Sequence, residues 1–232
     1  MLYAACYMTQ YMKVAVVVPA YNEAERIQIV LKHLIEQGFE VIAVDDGSSD
    51  GTAEAIRVFP VKLASHCANI GQGAALRTGT ELARELGYDA VAHFDADGQH
   101  RIEDLRALVA ELQNGETDIA IGSRFMGVAS NLPAKKRLIY FFARLFSRYF
   151  LGLAFTDPQS GLRAFKLGQW DKIKWGKDNF EHCSEILGLI RKNNLRYKEI
   201  PIQVIYDELN QTKRVRPRVS MGLRLILAKI FD

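Results

Sequence analysis

Ala90-Val91-Ala92-His93-Phe94-Asp95-Ala96-Asp97-Gly98-Gln99-His100 joins a short apolar run to a polar loop with two carboxylates one residue apart. Residues 90–94 read as a buried strand, so Asp95 and Asp97 stand at a strand's carboxyl end. In an open α/β sheet, ligands gather beyond the carboxyl ends of the strands. Oxygen donors suit a hard divalent cation such as Mg²⁺ or Mn²⁺, which keeps positions open for the oxygens of a diphosphate. An acidic turn is the alternative reading of the same residues, since Asp and Gly are common in turns. The flanking chain decides between them.

Upstream, strand and helix patterns alternate. Val14-Ala15-Val16-Val17-Val18 is continuously apolar and β-branched, as a strand buried on both faces should be. Pro19-Ala20-Tyr21-Asn22-Glu23 breaks it, and Asn22 with Glu25 has the spacing of a capping box for the next helix. Ile27, Val30, Leu31, Leu34 and Ile35 give that helix one apolar face, and Gly38 ends it. A second buried strand over 41–44 runs into Asp45-Asp46-Gly47-Ser48-Ser49-Asp50-Gly51-Thr52. Carboxylates there either hydrogen-bond a nucleobase or ribose, or simply organise a capped turn. A short helix to Val58 and a strand over 61–64 follow. Asn69-Ile70-Gly71-Gln72-Gly73-Ala74-Ala75 then opens a helix to about Leu86. Gly71-x-Gly73 is an incomplete dinucleotide fingerprint, because Leu76 holds the third glycine position. Small residues that let a helix start close to the sheet explain it better.

Downstream, 102–112 carries Leu105, Leu108, Val109 and Leu112 on one helical face, and 118–121 is a further strand. It ends in Gly122-Ser123-Arg124-Phe125, where Arg124 either pairs with phosphate oxygens or is an ordinary surface arginine. The pattern predicts an α/β fold with a mostly parallel central sheet and helices on both faces. Residues 155–165 read as a loop and a strand. A helix over 181–190 puts Glu181 and Glu185 on one face, and a strand over 197–206 has Pro201 marking an edge.

The chain has 232 residues, enough for one sizeable domain, expected over 13–206. A net charge of +3 is too small to imply nucleic acid. Cys6, Cys67 and Cys183 have neither metal-ligand spacing nor an even number for disulfides, which fits reduced thiols in the cytoplasm. No apolar run reaches the ~20 residues that a membrane-spanning helix needs. Residues 1–12 read as a loose extension without the features of a secretory signal. The aromatic, basic stretch 136–151 suits either a helix lying in a membrane interface or a core helix. Residues 207–232 combine Lys213, Arg214, Arg216 and Arg218 with an amphipathic helix from Met221. That pattern fits docking on anionic lipid or a solvated tail.

The motifs at 17–23, 44–52, 69–73, 94–100 and 122–125, in this order, resemble the family 2 glycosyltransferases with the A-type nucleotide-sugar fold. Asp157-Pro158-Gln159-Ser160-Gly161-Leu162-Arg163-Ala164-Phe165 is similar to the branch of dolichyl-phosphate mannose and glucose synthases. The resemblance implies that Pro19, Tyr21, Glu23, Val44, Asp45 and Asp46 hold the base and ribose of a UDP- or GDP-hexose. It places Ala96 and Arg124 beside the nucleotide sugar. Asp95 and Asp97 match the metal-diphosphate motif, with Gln99 a further metal contact. Gln159 and Arg163 match the loop bordering sugar and acceptor, and Glu185 matches an acidic residue of the helix before the last strand.

The implied activity is an inverting, metal-dependent transfer of a hexose to a polyprenyl phosphate, or to a glycan or lipid-linked saccharide. The enzyme would lie peripherally on the cytoplasmic face of a membrane. A hydroxyl acceptor would need a general base, for which Asp157, Glu181 and Glu185 are the candidates. A lipid phosphate would instead need basic residues, which Arg163, Lys135 to Arg137, Lys213 and Arg214 could supply. The position six before Lys213 is Asp207, where dolichyl-phosphate mannose synthases carry an arginine. A nucleotide-sugar binding protein without turnover is a further alternative.

Overall fold

The computed structural model describes residues 12–126 and 155–205. Seven strands form one sheet: β1 (Val14–Ala20), β2 (Glu40–Asp45), β3 (Lys62–Ser65), β4 (Ala90–His93), β5 (Ile119–Ser123), β6 (Arg163–Lys166) and β7 (Tyr197–Pro201). Their spatial order is β3-β2-β1-β4-β6-β5-β7. All pairings are parallel except those of β6, which runs antiparallel to both β4 and β5. The expectation of a mostly parallel sheet holds, with one reversed strand wedged into it.

That reversal positions the site. Arg163, at the start of β6, pairs with His93 and Ile121 at the carboxyl ends of β4 and β5. The loop before β6 is thereby delivered to the same edge of the sheet as Asp95 and Asp97.

Helices cover both faces. α1 (Ala24–Glu36) and α4 (Ile102–Gln113) bury Ile27, Leu31, Leu34, Leu105 and Leu108 against Val16, Val18, Val41, Ala43 and Ala92. On the opposite face lie α3 (Gln72–Glu85), the short α5 (Trp170–Ile173) and α6 (His182–Lys192). They bury Ala75, Leu76, Trp170, Ile186 and Ile190 against Val17, Ile42, Val44, Val91 and Phe165. Successive strand residues thus enter two separate cores, which is why β1 and β2 read as unbroken apolar runs. α2 (Thr52–Arg57) is the remaining helix here. α3 lies so close to the sheet that a Cβ at Gly79 would collide with Val17, so a small residue is required there.

Two local expectations are corrected. Asn22 does not cap α1: its φ is +53°, and its side-chain oxygen accepts from the Ser49 N–H at 3.0 Å. The cap comes from across the β2–α2 loop, where Asp50 Oδ2 accepts the Ala24 N–H at 3.2 Å and Thr52 Oγ1 the Glu23 N–H at 2.9 Å. β7 ends at Pro201, short of Tyr206. The chain then crosses back so that Val204 pairs with His100 and the Ile205 N–H donates to Gln99 O at 3.0 Å. Pro201 does lie on an edge strand, as expected. Residues 1–11, 127–154 and 206–232 lie outside the described residues, and with them the expected extension, the aromatic stretch, Lys213, Arg214 and the terminal helix.

Candidate active site

A cavity of about 560 Å³ opens along the carboxyl edge of the sheet. β1 and its loop contribute Pro19, Ala20, Tyr21 and Glu23, and the start of α3 contributes Gly71 and Gln72. Asp95, Ala96, Asp97 and Gln99 follow β4, while Gln159 and Gly161 precede β6. Asn179, Phe180, His182 and Cys183 come from the start of α6 and the segment before it. The motifs at 17–23, 44–52, 69–73, 94–100 and 157–165 thus meet at one cavity, each where a strand or helix begins or ends, whereas 122–125 contributes no lining residue.

Of the Asp95 and Asp97 pair, Asp95 is the more tightly oriented. Gln72 Nε2 donates to its Oδ1 at 2.7 Å, and His100 Nε2 lies 3.1 Å from its Oδ2. A Cβ at Gly161 would sit 2.6 Å from Asp95 Oδ2, so only glycine lets that loop pass. Burial pushes Asp95 upward, but the His100 hydrogen bond and the charges of His100 and Arg163 hold its carboxyl below the ordinary value. Burial also works against a charged His100, yet Asp95 and Asp97 raise its pKa. For Asp97 the balance falls the other way: desolvation and the Asp95 charge outweigh the Gln99 N–H bond and the His100 charge, lifting its carboxyl to about 6. Two carboxylates facing one cavity at this cost form a donor set suited to a hard divalent cation.

Several expected residues stand elsewhere. Asp46 lines the cavity, but its carboxylate already accepts from Asn69 Nδ2 (2.9 Å), Ile70 N (3.0 Å) and Gly71 N (2.8 Å), with His66 Nδ1 at 2.7 Å. It fixes the loop leading into α3. Asp45 accepts the Ser48 N–H at 3.2 Å, and Val44 is wholly buried in the core; neither lines the cavity. Arg163 is 2% exposed beneath the cavity, because its place in β6 turns it into the core beside Phe165. Its Nη2 donates to Ser160 O, and its Nε and Nη1 have no hydrogen-bond partner.

Asp157, a candidate base, is 1% exposed and held by Arg124 through Nε–Oδ2 (2.6 Å) and Nη2–Oδ1 (2.7 Å). Glu199 of β7 fixes this pair from behind, accepting from Thr156 N (2.8 Å) and Asp157 N (3.3 Å). Glu185 accepts the N–H groups of Gly176 (3.0 Å) and Lys177 (2.9 Å). Arg124, Asp157, Glu181 and Glu185 are absent from the cavity lining.

Residues that the motifs did not single out complete the wall, namely Gln72, Gly161, Asn179, Phe180, His182 and Cys183, while His100 holds Asp95 from outside the lining. Cys183 is buried, which raises a thiol, yet Arg163 and His182 bring it down to about 7. Gly161 had a signal, since it lies inside the 157–165 motif. Phe180 and Cys183 had none.

Comparison with known proteins agrees with this geometry. The glycosyl transferase family 2 model matches residues 15–171. A UDP-N-acetylglucosamine–dolichyl-phosphate N-acetylglucosaminyltransferase of Methanococcus voltae is 30% identical over 242 residues, covering 92% of this chain and 95% of its own. An undecaprenyl-phosphate mannosyltransferase of Micrococcus luteus is 34% identical over 214 residues, 87% of each chain. The crystal structure of Mycobacterium tuberculosis glucosyl-3-phosphoglycerate synthase superposes with a TM-score of 0.69 at 21% identity, covering 95% of this chain and 80% of that one, and so shares its fold. With a family model matching most of its length and two relatives aligned nearly end to end, the chain belongs to glycosyl transferase family 2, as a nucleotide-sugar-dependent glycosyltransferase.

Proposed function

We propose that the enzyme transfers a hexose from a nucleoside diphosphate to a polyprenyl phosphate, with inversion at the anomeric carbon. The observation that carries the acceptor class is the state of the carboxylates. A hydroxyl acceptor requires a base within hydrogen-bond reach of its proton. Among the described residues, the carboxylates on the cavity are Glu23, Asp46, Asp95 and Asp97. Asp46 is engaged by four protein donors, Glu23 pairs with Arg26 at 3.2 Å, and Asp95 and Asp97 form the cation-binding set. Asp157 and Glu185 are tied down outside it. A phosphate monoester needs no such base, because its oxygen is already anionic.

In this reading an acceptor phosphate oxygen forms a bond to the anomeric carbon from the face opposite the leaving group. The bond from that carbon to the diphosphate oxygen breaks, and its electron pair leaves with the nucleoside diphosphate. No proton changes hands. Asp95, Asp97 and Gln99 would hold a divalent cation, which when bound neutralises charge on the leaving diphosphate. Pro19, Tyr21 and Glu23 border the nucleoside end.

The names of the two relatives support the acceptor class: both pair a sugar with a polyprenyl-type phosphate, although the sugars differ. No helix among the described residues is long and apolar enough to cross a membrane. Docking on the cytoplasmic face would fall to the basic and aromatic sequence at 135–151 and 207–232.

The test offers radiolabelled UDP- and GDP-hexoses with Mg²⁺ or Mn²⁺, with and without a short polyprenyl phosphate. The reading expects label in the organic phase only when lipid phosphate and cation are both present. Label appearing instead on an added glycan would replace it.

A further inference from the structure

Between α5 and α6, residues 174–181 cross the amino-terminal end of α3 as a strap. Its anchors are dense. The Trp175 indole N–H donates to Gly73 O at 2.8 Å, and the Ala74 N–H donates to Asp178 O at 3.0 Å. Arg77 pairs with Asp178 at 2.6 Å, and Lys174 with Glu81 at 2.6 Å. The strap lies so near α3 that a Cβ at Gly71 would meet Asp178 O at 2.5 Å, and one at Gly73 would meet Lys177 O at 2.5 Å. Gly71-x-Gly73, which looks like part of a dinucleotide fingerprint, is therefore the seat of this strap.

The Glu185 carboxylate holds the strap from the other side. One turn into α6, it accepts the Gly176 and Lys177 N–H groups with one oxygen each. The strap ends in Asn179 and Phe180 on the cavity wall, followed directly by His182 and Cys183. This wall belongs to the α3–α6 face of the sheet, whereas the β1–α1 loop with Tyr21 and Glu23 leads to the other face. Gln72, next to the strap's seat, is the residue that orients Asp95.

We propose that Glu185 is a positioning residue. By tying the strap to α6 while Trp175 and Asp178 hold it to α3, it sets where Asn179 and Phe180 stand, and so shapes the acceptor's half of the cavity. This rests on the transferase reading above. It assigns Glu185 no proton transfer.

The test compares Glu185→Ala, Glu185→Gln and Arg77→Ala in the full chain. Three quantities are read: acceptor KM and kcat, nucleoside diphosphate dissociation constant, and tryptic cleavage after Lys177, which is exposed but pinned. Losing two charge-assisted hydrogen bonds in Glu185→Ala should raise acceptor KM about ten- to a hundredfold. The nucleotide constant should move by less than about threefold, because its grip is on the other wall. Lys177 should become cleavable. Glu185→Gln, which keeps one acceptor oxygen, should fall between wild type and Glu185→Ala.

Arg77→Ala, acting on the same strap, should shift acceptor KM in the same direction and combine non-additively with Glu185→Ala. It also carries the test if Glu185→Ala does not fold. The proposal is overturned if Glu185→Gln loses about a hundredfold in kcat at unchanged acceptor KM with Lys177 still protected, the pattern of a lost acid–base group. It is equally overturned if Glu185→Ala or Arg77→Ala leaves acceptor KM and cleavage unchanged. Should wild type give no lipid product at all, the acceptor reading falls, while cleavage at Lys177 still decides the latch.

Discussion

Asp97 is where function and stability oppose each other. Its carboxyl, raised to about 6 from the ordinary 3.8, means that the folded protein holds this proton more tightly than the unfolded chain does. Stability therefore falls as pH rises between those two values and stays lower above them. In the presence of a chelator, Asp97→Asn should be more heat-stable than wild type at pH 8, and the difference should vanish below about pH 4. The same variant should lose about a hundredfold or more in transfer rate, because half of the cation's carboxylate pair is gone. A scanning thermal denaturation series and an initial-rate assay check the two halves.

Gly161→Ala tests orientation instead. Its Cβ would enter the space of Asp95 Oδ2, so activity should drop about tenfold or more while the melting temperature moves only a few degrees. The Asp95-x-Asp97 pair was legible because its chemistry is written in adjacent residues. The destinations of Arg163, Asp157 and Glu185 were not. Asp157 depends on Arg124, 33 residues away, Arg163 on the direction of a strand, and Glu185 on the path of the irregular segment 174–181.

Elements reveal why some local signals mislead. Asn22 has the right type and spacing for an N-cap, but Ser48 and Ser49 draw it into a left-handed conformation, and Asp50 takes over the capping. The competing loop lies 26 to 27 residues away, beyond any local pattern. Asp50→Ala should therefore destabilise the protein by about 1 kcal/mol through α1, although Asp50 belongs to the loop before α2. Asn22→Ala should act through loss of the left-handed turn, not through a cap. Chemical denaturation of both variants measures this.

β6 illustrates the same limit. Four residues reveal a strand but not its direction, and it is the antiparallel insertion that carries Gln159 and Gly161 to Asp95. Gly71-x-Gly73 was read as close packing of a helix start on the sheet. The nearest neighbours of both glycines are instead Lys177, Asp178 and Asn179 of the 174–181 strap.

At the scale of the molecule, the sheet was the most legible feature. Continuous apolar strands can only be buried on both faces, and polar loops at their carboxyl ends must then share one edge. The whole edge opens on a single cavity, and the proposed reading gives it a nucleoside end at β1, a diphosphate end at β4 and an acceptor wall built from β6 and α6. What distinguishes it chemically is that the described cavity has no carboxylate left to serve as a base.

The most direct measurement is competition between a short polyprenyl phosphate and the matching polyprenol, offered to the enzyme with its best nucleotide sugar and a divalent cation. Glycosylated phosphate and no glycosylated alcohol is the expected result, since among the described residues no carboxylate on the cavity is left to take the alcohol's proton. Transfer to the alcohol at a comparable rate would contradict it, and would point to His182 on the cavity wall, or to a released Asp157 or Glu185, as the base.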